Sequence, residues 1–299
     1  MHPLIEALLA DGPVLTDGAW GTQMQARGLA VGGCPDEWNL SHPAVVEEIP
    51  RAYVAAGSQI VLTNTFRSNR ITLADYGLMD QTQAINRLGA EISCRAAAGQ
   101  ARVFGSIGPS GRMLMMGEVS EQQLLDAFAE QAQALAAGGA EGLVIETMGD
   151  LAEAKLAVQG AQTSGLPVVA SMCFDTGAAL DRTLMGTTPE QAAEELSAAG
   201  ADVIGANCGQ GIAGYTDLCR RLHAATERPI WLKPNAGIPE LVDDVPQWKT
   251  PPQEFARYGP ELVAAGASFL GGCCGSSPEF IRALREAIRP VASHPAVSR

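Results

Sequence analysis

Eight short apolar runs, each followed by a longer stretch with helical spacing, set the tightest limit on how this chain folds. The runs are Pro13–Ala19, Ile60–Phe66, Val103–Pro109, Gly142–Met148, Val168–Phe174, Val203–Gly209, Ile230–Ala236 and Ser268–Gly275. Segments this short, bounded by glycine or proline, suit parallel strands covered on both faces, because neither face then meets water. Helical patterns lie between and after them at Pro43–Ala56, Gln81–Ala98, Glu121–Ala137, Leu151–Thr163, Pro189–Ala199, Tyr215–Thr226, Glu254–Ala265 and Pro278–Ile288. The triplet Ala-Ala-Gly precedes a strand at Ala55-Ala56-Gly57, Ala136-Ala137-Gly138, Ala198-Ala199-Gly200 and Ala264-Ala265-Gly266. Glycine there predicts a left-handed helix end, and the alanines let the helix pack closely on a sheet. Eight strand–helix units in 299 residues predict an α/β fold, a single-domain (β/α)8 barrel over residues 1–290 with a short tail at 291–299. An open doubly wound sheet is the alternative, but no Gly-x-Gly-x-x-Gly follows the first run, so a dinucleotide-binding version lacks its fingerprint.

A barrel of this kind carries its chemistry at the C-terminal ends of its strands. The polar residues expected there are Asp17, Asn64, Thr65, Ser106, Glu146, Thr147, Cys173, Asn207, Cys208, Asn235, Cys273 and Cys274. Cys273 and Cys274 sit in Gly271-Gly272-Cys273-Cys274-Gly275, and Cys208 in Gly205-Ala206-Asn207-Cys208-Gly209-Gln210-Gly211. Neighbouring cysteines on regular structure point apart, and flanking glycines permit the bend that brings both sulfurs to one centre. The sixth and eighth strands open on the same mouth, so the three sulfurs are expected to meet across it. Three thiolates with a free fourth position suit a zinc ion that takes a sulfur ligand. A thiol entering that position loses its proton yet stays nucleophilic, which suits alkyl transfer to sulfur. Hydrolysis would favour histidine and carboxylate ligands, and His2, His42, His223 and His294 all lie away from the expected strand ends. The bland alternatives are a closed site with Cys173 as fourth ligand, or simply buried cysteines. The non-catalytic alternative is a Cys273–Cys274 dithiol redox sensor.

Glu146 ends the apolar run Leu143-Val144-Ile145. A carboxylate there needs a partner, and a substrate ammonium is one. Asp17 is a second acidic candidate, although Asp-Gly is also a common turn pair. Longer stretches gather at the same mouth, at Gly21–Ser41, Ser110–Ser120 and Gly237–Pro252. Their Met113, Met115, Met116 and Trp248 suit either an apolar lid or the filling of an irregular gap. A formal net charge of -13 argues against a nucleic-acid partner. Met1–Leu9 has no basic region, and no apolar run reaches the length of a membrane span, so no membrane partner and a cytoplasmic location are expected. Seven cysteines without an export signal point to thiols kept reduced for chemistry or packing.

The assembled motifs are Asp17-Gly18-Ala19-Trp20-Gly21-Thr22, Leu62-Thr63-Asn64-Thr65-Phe66, Gly105-Ser106-Ile107-Gly108-Pro109, Ile145-Glu146-Thr147, Gly205-Ala206-Asn207-Cys208, Pro234-Asn235-Ala236-Gly237 and Gly271-Gly272-Cys273-Cys274-Gly275. In this order the chain resembles the zinc-dependent homocysteine S-methyltransferase family, which includes betaine–homocysteine methyltransferases and the homocysteine domain of cobalamin-dependent methionine synthase. The resemblance implies a Zn2+ cofactor on Cys208, Cys273 and Cys274 as the catalytic centre. It implies that homocysteine binds through its thiolate to the metal and through its ammonium to Glu146. Asp17, Asn64 and Thr65 would contribute to the substrate site, and Asn235 would fill the fourth zinc position in the empty enzyme. The implied reaction is in-line methyl transfer to homocysteine, giving methionine. The donor would be betaine, S-methylmethionine, S-adenosylmethionine or a methyl-corrinoid protein. Trp20, Phe66 and Trp248 are aromatic candidates for holding a cationic donor. The alternative is a methyltransferase component that works with a corrinoid or other carrier on a different acceptor.

Overall fold

The computed structural model describes residues 1–30, 32–242 and 245–288. The eight apolar runs form parallel strands β1 (Val14–Leu15), β2 (Ile60–Leu62), β3 (Arg102–Ile107), β4 (Gly142–Met148), β5 (Val168–Met172), β6 (Val203–Gly211), β7 (Ile230–Asn235) and β8 (Ala267–Leu270). They hydrogen-bond in the order β1-β8-β7-β6-β5-β4-β3-β2. The seam between β1 and β2 is completed by one backbone bond and two bonds to side chains. Gln59 donates its backbone N–H to the Leu15 carbonyl (2.7 Å) and accepts from Leu15 N on Oε1 (3.0 Å). Leu62 N donates to Asp17 Oδ2 (2.8 Å). The expected (β/α)8 barrel is therefore present, and the open doubly wound sheet is not. β1 and β2 are shorter than their apolar runs: Thr16 N still donates to the Leu270 carbonyl at 2.7 Å, but the Thr16 carbonyl accepts from Ser58 Oγ and the Leu62 carbonyl from Ser93 Oγ in place of a ladder partner.

The inside of the barrel is layered. Strand side chains alternate between faces, and one set of inward residues is wholly apolar: Val14, Ile60, Leu62, Phe104, Val144, Val169, Val203, Trp231 and Phe269 form one buried cluster with Ile5. Trp231 is its centre, with ring centroids 6.4 Å from Phe104 and 5.4 Å from Phe269. Helix Pro3–Leu9, capped by His2 and started by Pro3, lays Ile5, Leu4, Leu8 and Leu9 against this end. Two residues further along the same strands the inward positions turn polar: Phe104 gives way to Ser106, Val144 to Glu146, Val169 to Ser171 and Trp231 to Lys233, all buried. The outward faces of the strands, such as Leu143, Ile145 and Ile204, pack on the helices in a separate larger core.

The helices follow the predicted pattern with two local differences. The stretch predicted as one helix over Glu254–Ala265 is two, Pro252–Ala256 and Gly259–Ala264, because Gly259-Pro260 starts a new helix where proline cannot continue the old one. Of the four Ala-Ala-Gly triplets, three end in left-handed glycines, with φ of 110° at Gly57, 97° at Gly200 and 111° at Gly266. Gly138 stays right-handed (φ -82°), and the left-handed step falls on Gly139 (φ 97°). A short antiparallel hairpin, Glu240–Val242 with Val245–Gln247, was not expected and lies in the loop after β7. The expected tail at 291–299 lies outside the described residues, among which no helix is long and apolar enough to cross a membrane.

Candidate metal centre and substrate cavity

Cys208 follows the last inward pair of β6 and has a left-handed backbone, φ 58°, with Gly209 next at 60°. Such a conformation strains a non-glycine residue and persists only where neighbours hold it. Two hydrogen bonds do so, and Gly209 must be glycine. Tyr215 Oη donates to the Cys208 carbonyl at 2.7 Å, Asn235 Nδ2 donates to the Gly209 carbonyl at 2.9 Å, and a Cβ on Gly209 would stand 2.5 Å from the Phe174 carbonyl oxygen. The turn aims the Cys208 sulfur across the mouth. On the other side β8 ends at Leu270, and Cys273 N donates to the Pro234 carbonyl at 2.8 Å while the Cys274 carbonyl accepts from Ala236 N at 2.9 Å. The bend between them is fixed by Ser276, whose Oγ donates to the Cys273 carbonyl (2.7 Å) and accepts from Ala19 N (3.0 Å). Gly271 is required because a Cβ there would meet Thr16 Oγ1 at 2.0 Å.

The three sulfurs predicted to meet do meet. Cys208 Sγ is 2.7 Å from Cys273 Sγ and 4.0 Å from Cys274 Sγ, and all three lie within 4.8 Å of one another. Cys173 falls outside the group, so the fourth-ligand role considered for it has no support in the geometry. With Zn–S bonds near 2.3 Å, tetrahedral geometry puts sulfurs roughly 3.8 Å apart, so Cys208 and Cys273 would separate by about 1 Å to hold an ion. Asn235 Oδ1 is buried and has no hydrogen-bond partner, although its own Nδ2 is anchored one residue from Cys208. A buried acceptor left unpaired is costly, and a cation is one partner that would satisfy it. The donor set therefore fits a thiophilic divalent metal. Without one, the cluster shares protons. Hydrogen bonds first from Cys208 and then from Cys273 hold the Cys274 thiol down, to about 4. Cys208, bonded to both, is pushed well above the ordinary thiol range.

The sulfurs border a cavity of about 360 Å³ also lined by Trp20, Asp36, Asn64, Thr65, Phe66, Ser106, Glu146, Thr147 and Lys233. Glu146 is 8% exposed and accepts from Ser106 Oγ at 2.5 Å. Burial pushes its carboxyl up to about 7, against the opposing pull of Lys233. Asn64 and Thr65 reach the wall, but their side chains are engaged. Asn64 Nδ2 donates to Pro35 O (2.7 Å) and Asn39 Oδ1 (3.1 Å), and Thr65 Oγ1 donates to Ser106 O (2.7 Å). Asp17 is fully buried and its carboxylate is taken up by the protein: Lys233 Nζ donates to Oδ1 at 2.5 Å, and Trp20 Nε1 (2.9 Å) and Leu62 N (2.8 Å) donate to Oδ2. Thr147 has a left-handed backbone (φ 60°), held by Asn207, which accepts from Thr147 N at 2.8 Å and donates to Thr147 Oγ1 at 2.6 Å. Asn207 Nδ2 is also 4.0 Å from Cys273 Sγ.

Among the charged residues of this cavity, Lys233, Asp36 and Arg67 were not foreseen. Lys233 is the one charged residue in the run Ile230–Ala236, a cation inside a buried strand, and that was its available signal. Burial opposes its charge, but Asp17 and Glu146 more than offset this and raise its pKa. Asp36 sits in an irregular turn, where nothing in sequence marks it. The methionine loop does not close over this cavity. Met113, Met115 and Met116 are 44%, 67% and 67% exposed, and the first two line a neighbouring cavity that shares Thr147 with the first. Trp248 packs on Gly275 beside the cysteines.

Comparison with known proteins agrees with this geometry. The homocysteine S-methyltransferase family model matches residues 14–288. The chain is 32% identical to methionine synthase of Mycobacterium tuberculosis over 97% of its own length and 26% of that protein's. Against methionine synthase of Mycobacterium leprae the figures are 31%, 94% and 24%. The chain thus spans about a quarter of the length of these relatives. Among solved structures, the metallated form of the homocysteine methyltransferase MmuM from Escherichia coli superposes with a TM-score of 0.79 at 25% identity, covering 94% of this chain and 99% of that one. With its barrel, its three converging sulfurs and a family match over nearly its whole length, this chain belongs to the homocysteine S-methyltransferase family.

Proposed function

We propose that this chain, as one barrel over residues 1–290, transfers a methyl group to the sulfur of homocysteine and releases methionine, with Zn2+ on Cys208, Cys273 and Cys274. The observation that carries this reading is the convergence of three sulfurs on the wall of a cavity that is also lined by the buried carboxyl of Glu146. Zinc, when bound, supplies the Lewis acidity that keeps an incoming thiol ionised at neutral pH. The Asn235 amide oxygen is the group that answers the metal before substrate arrives. Glu146, oriented by Ser106, takes the homocysteine ammonium, and pairing with that cation favours its ionised form. Asp17 does not face the substrate; it fixes Lys233 and Trp20, and so positions the wall behind Glu146. Asn64 and Thr65 shape the cavity through the contacts already described. The sulfur attacks the methyl carbon in line, the bond from carbon to the leaving atom breaks, and its electron pair stays with that atom. Holding the two partners at this geometry supplies much of the acceleration.

The test is direct. Zinc-loaded protein is incubated with homocysteine and, separately, betaine, S-methylmethionine, S-adenosylmethionine and methylcobalamin, and methionine is measured. Formation with one of them, lost on chelation and restored by zinc, is the expected result. No methionine with any donor would turn the assignment to a different acceptor.

A further inference from the structure

The polar layer of the barrel holds two opposite charges that border one cavity without touching. Glu146 on β4 and Lys233 on β7 occupy equivalent inward positions, are 8% and 2% exposed, and line the cavity beside the sulfurs. Glu146 accepts from Ser106 Oγ, whereas Lys233 Nζ donates to Asp17 Oδ1. Among the described residues the ion pair of Lys233 is with Asp17, not with Glu146. Burial works against both charges, and the opposite charge counters it in each case. Lys233 draws the Glu146 carboxyl down, and Asp17 and Glu146 together hold the Lys233 ammonium up. Lys233 is also next to the metal centre, since the carbonyl of its neighbour Pro234 accepts from Cys273 N at 2.8 Å.

The Asp17–Lys233 pair is satisfied on one side only. Asp17 accepts three hydrogen bonds, from Lys233 Nζ, Trp20 Nε1 and Leu62 N. An ammonium carries three donors, and Asp17 takes one; no second acceptor for Nζ occurs among the described residues. A buried ion pair repays its desolvation only when its remaining protons are bonded as well. The protons left on Lys233 therefore suit an anion that enters the cavity. Arg67, the other cation on the cavity wall, is exposed and lies over the Tyr76 ring, 5.6 Å from its centroid. An α-amino acid thiol fits this arrangement. Its ammonium and carboxylate share one carbon, so they stay close together once the sulfur has joined the cluster. A separated carboxylate and ammonium on the wall offer each of them its opposite charge.

Resting on the reading above, we propose that Lys233 is a specificity-determining residue that holds the α-carboxylate of the thiol substrate, so that Glu146 and Lys233 together read the zwitterion of an amino acid. The substrate carboxylate accepts from the Lys233 ammonium, Asp17 keeps that ammonium in place, and the head group sits between the two opposite charges. A thiol with an amine alone leaves Lys233 unanswered, and one with an acid alone leaves Glu146 unanswered. Buried polar groups left unpaired in this way are what reject an analogue.

The test titrates the zinc-loaded full chain calorimetrically with four thiols: homocysteine, 3-aminopropanethiol (the same molecule without its carboxylate), 4-mercaptobutyrate (without its amine) and 1-propanethiol (without either). In the wild type homocysteine should bind about tenfold or more tighter than 3-aminopropanethiol, the scale of a charged hydrogen bond. The variant is Lys233→Met combined with Asp17→Asn, so that no carboxylate is stranded. In it the affinity ratio of homocysteine to 3-aminopropanethiol should fall by about tenfold or more, and so should that of 4-mercaptobutyrate to 1-propanethiol. Each ratio isolates the carboxylate, because the members of a pair share everything else. No preference for homocysteine over 3-aminopropanethiol in the wild type overturns the proposal whether or not the variant folds. Either ratio unchanged in the variant overturns it as well, and an equal loss of all four thiols would place Lys233 in the service of the metal centre instead. In each of these cases methionine formation from homocysteine leaves the underlying reading intact, whereas homocysteine bound by the wild type no better than 1-propanethiol overturns both.

Discussion

The two ends of the barrel interior are built on the same eight strands and differ by one pleat repeat. At one end Phe104, Val144, Val169 and Trp231 interlock with Phe269 under the helix Pro3–Leu9. Two residues on, Ser106, Glu146, Ser171 and Lys233 occupy the equivalent inward positions, and the sulfurs of Cys208, Cys273 and Cys274 stand above them. The apolar end gains from burial at roughly 25 cal/mol per Å² removed from water and needs only shape. The polar end must answer every group individually, since an unpaired one costs about 1–3 kcal/mol. Among the buried side-chain atoms left without a partner is Asn235 Oδ1, next to the strand end that carries the sulfurs. Stability is thus concentrated at the closed end and reactivity at the open one, and this division can be broken from either side.

The largest effect should come from the sulfurs. Cys208→Ser removes a donor from the centre of the cluster, and zinc content by atomic absorption should fall close to zero with turnover. Loss of outer partners alone costs about 10–100-fold in metal affinity, so loss of a ligand should exceed that. Melting temperature of the metal-free protein should change little, because the apolar end is untouched. A variant that kept full zinc and activity would remove the metal centre from the mechanism.

Next in size is the ion pair that joins the two ends. Lys233→Met strands Asp17 at full burial, and losing one partner of a buried pair costs about 3–5 kcal/mol. Asp17→Asn combined with Lys233→Met should recover most of this in urea unfolding, while homocysteine affinity stays low because Glu146 has lost its neighbouring cation. Recovery of both together would mean that Lys233 serves the fold only. Smaller again, Ile5→Ala opens the plug at the closed end and should cost about 2–4 kcal/mol with kcat unchanged. A loss of activity matched to the loss of stability would show the two ends to be coupled.

What sequence conveyed follows the same division. The apolar runs and their glycine or proline boundaries reported the strands and the barrel because burial on both faces leaves a continuous apolar signature. The sulfurs were legible because only glycine-flanked bends bring adjacent cysteines to one point. Lys233 gave a signal that went unread, whereas Asp36 and the seam at Asp17 and Gln59 gave none. Their roles depend on which side chain faces which across the mouth, and that is set by how segments 31 residues or more apart come together, from Asp36 with Arg67 to Asp17 with Lys233. β1 and β2 were read too long for the same reason: the Ser58 and Ser93 hydroxyls that take the Thr16 and Leu62 carbonyls leave no trace in an apolar pattern.

The smallest effect expected is on Glu146, and it is the sharpest check on the open end. Glu146→Gln keeps the Ser106 contact and removes the charge, and should weaken homocysteine by about 1.5–3 kcal/mol, the range for a charged hydrogen bond. The pH dependence carries the sign. The carboxyl titrates at about 7 rather than near the usual 4.5, so below that value it is mostly neutral and has little hold on an ammonium. The KM of homocysteine should therefore fall as pH rises through 7. Ionisation of the substrate thiol changes in the same direction, so the measurement is the ratio of KM for homocysteine to KM for 4-mercaptobutyrate, which has the thiol and carboxylate without the amine. In the wild type that ratio should fall with rising pH around 7, and in Glu146→Gln it should be flat. A ratio independent of pH in the wild type would place the ammonium elsewhere in the cavity, and Asp36, the other buried carboxylate on its wall, would then be the group to test.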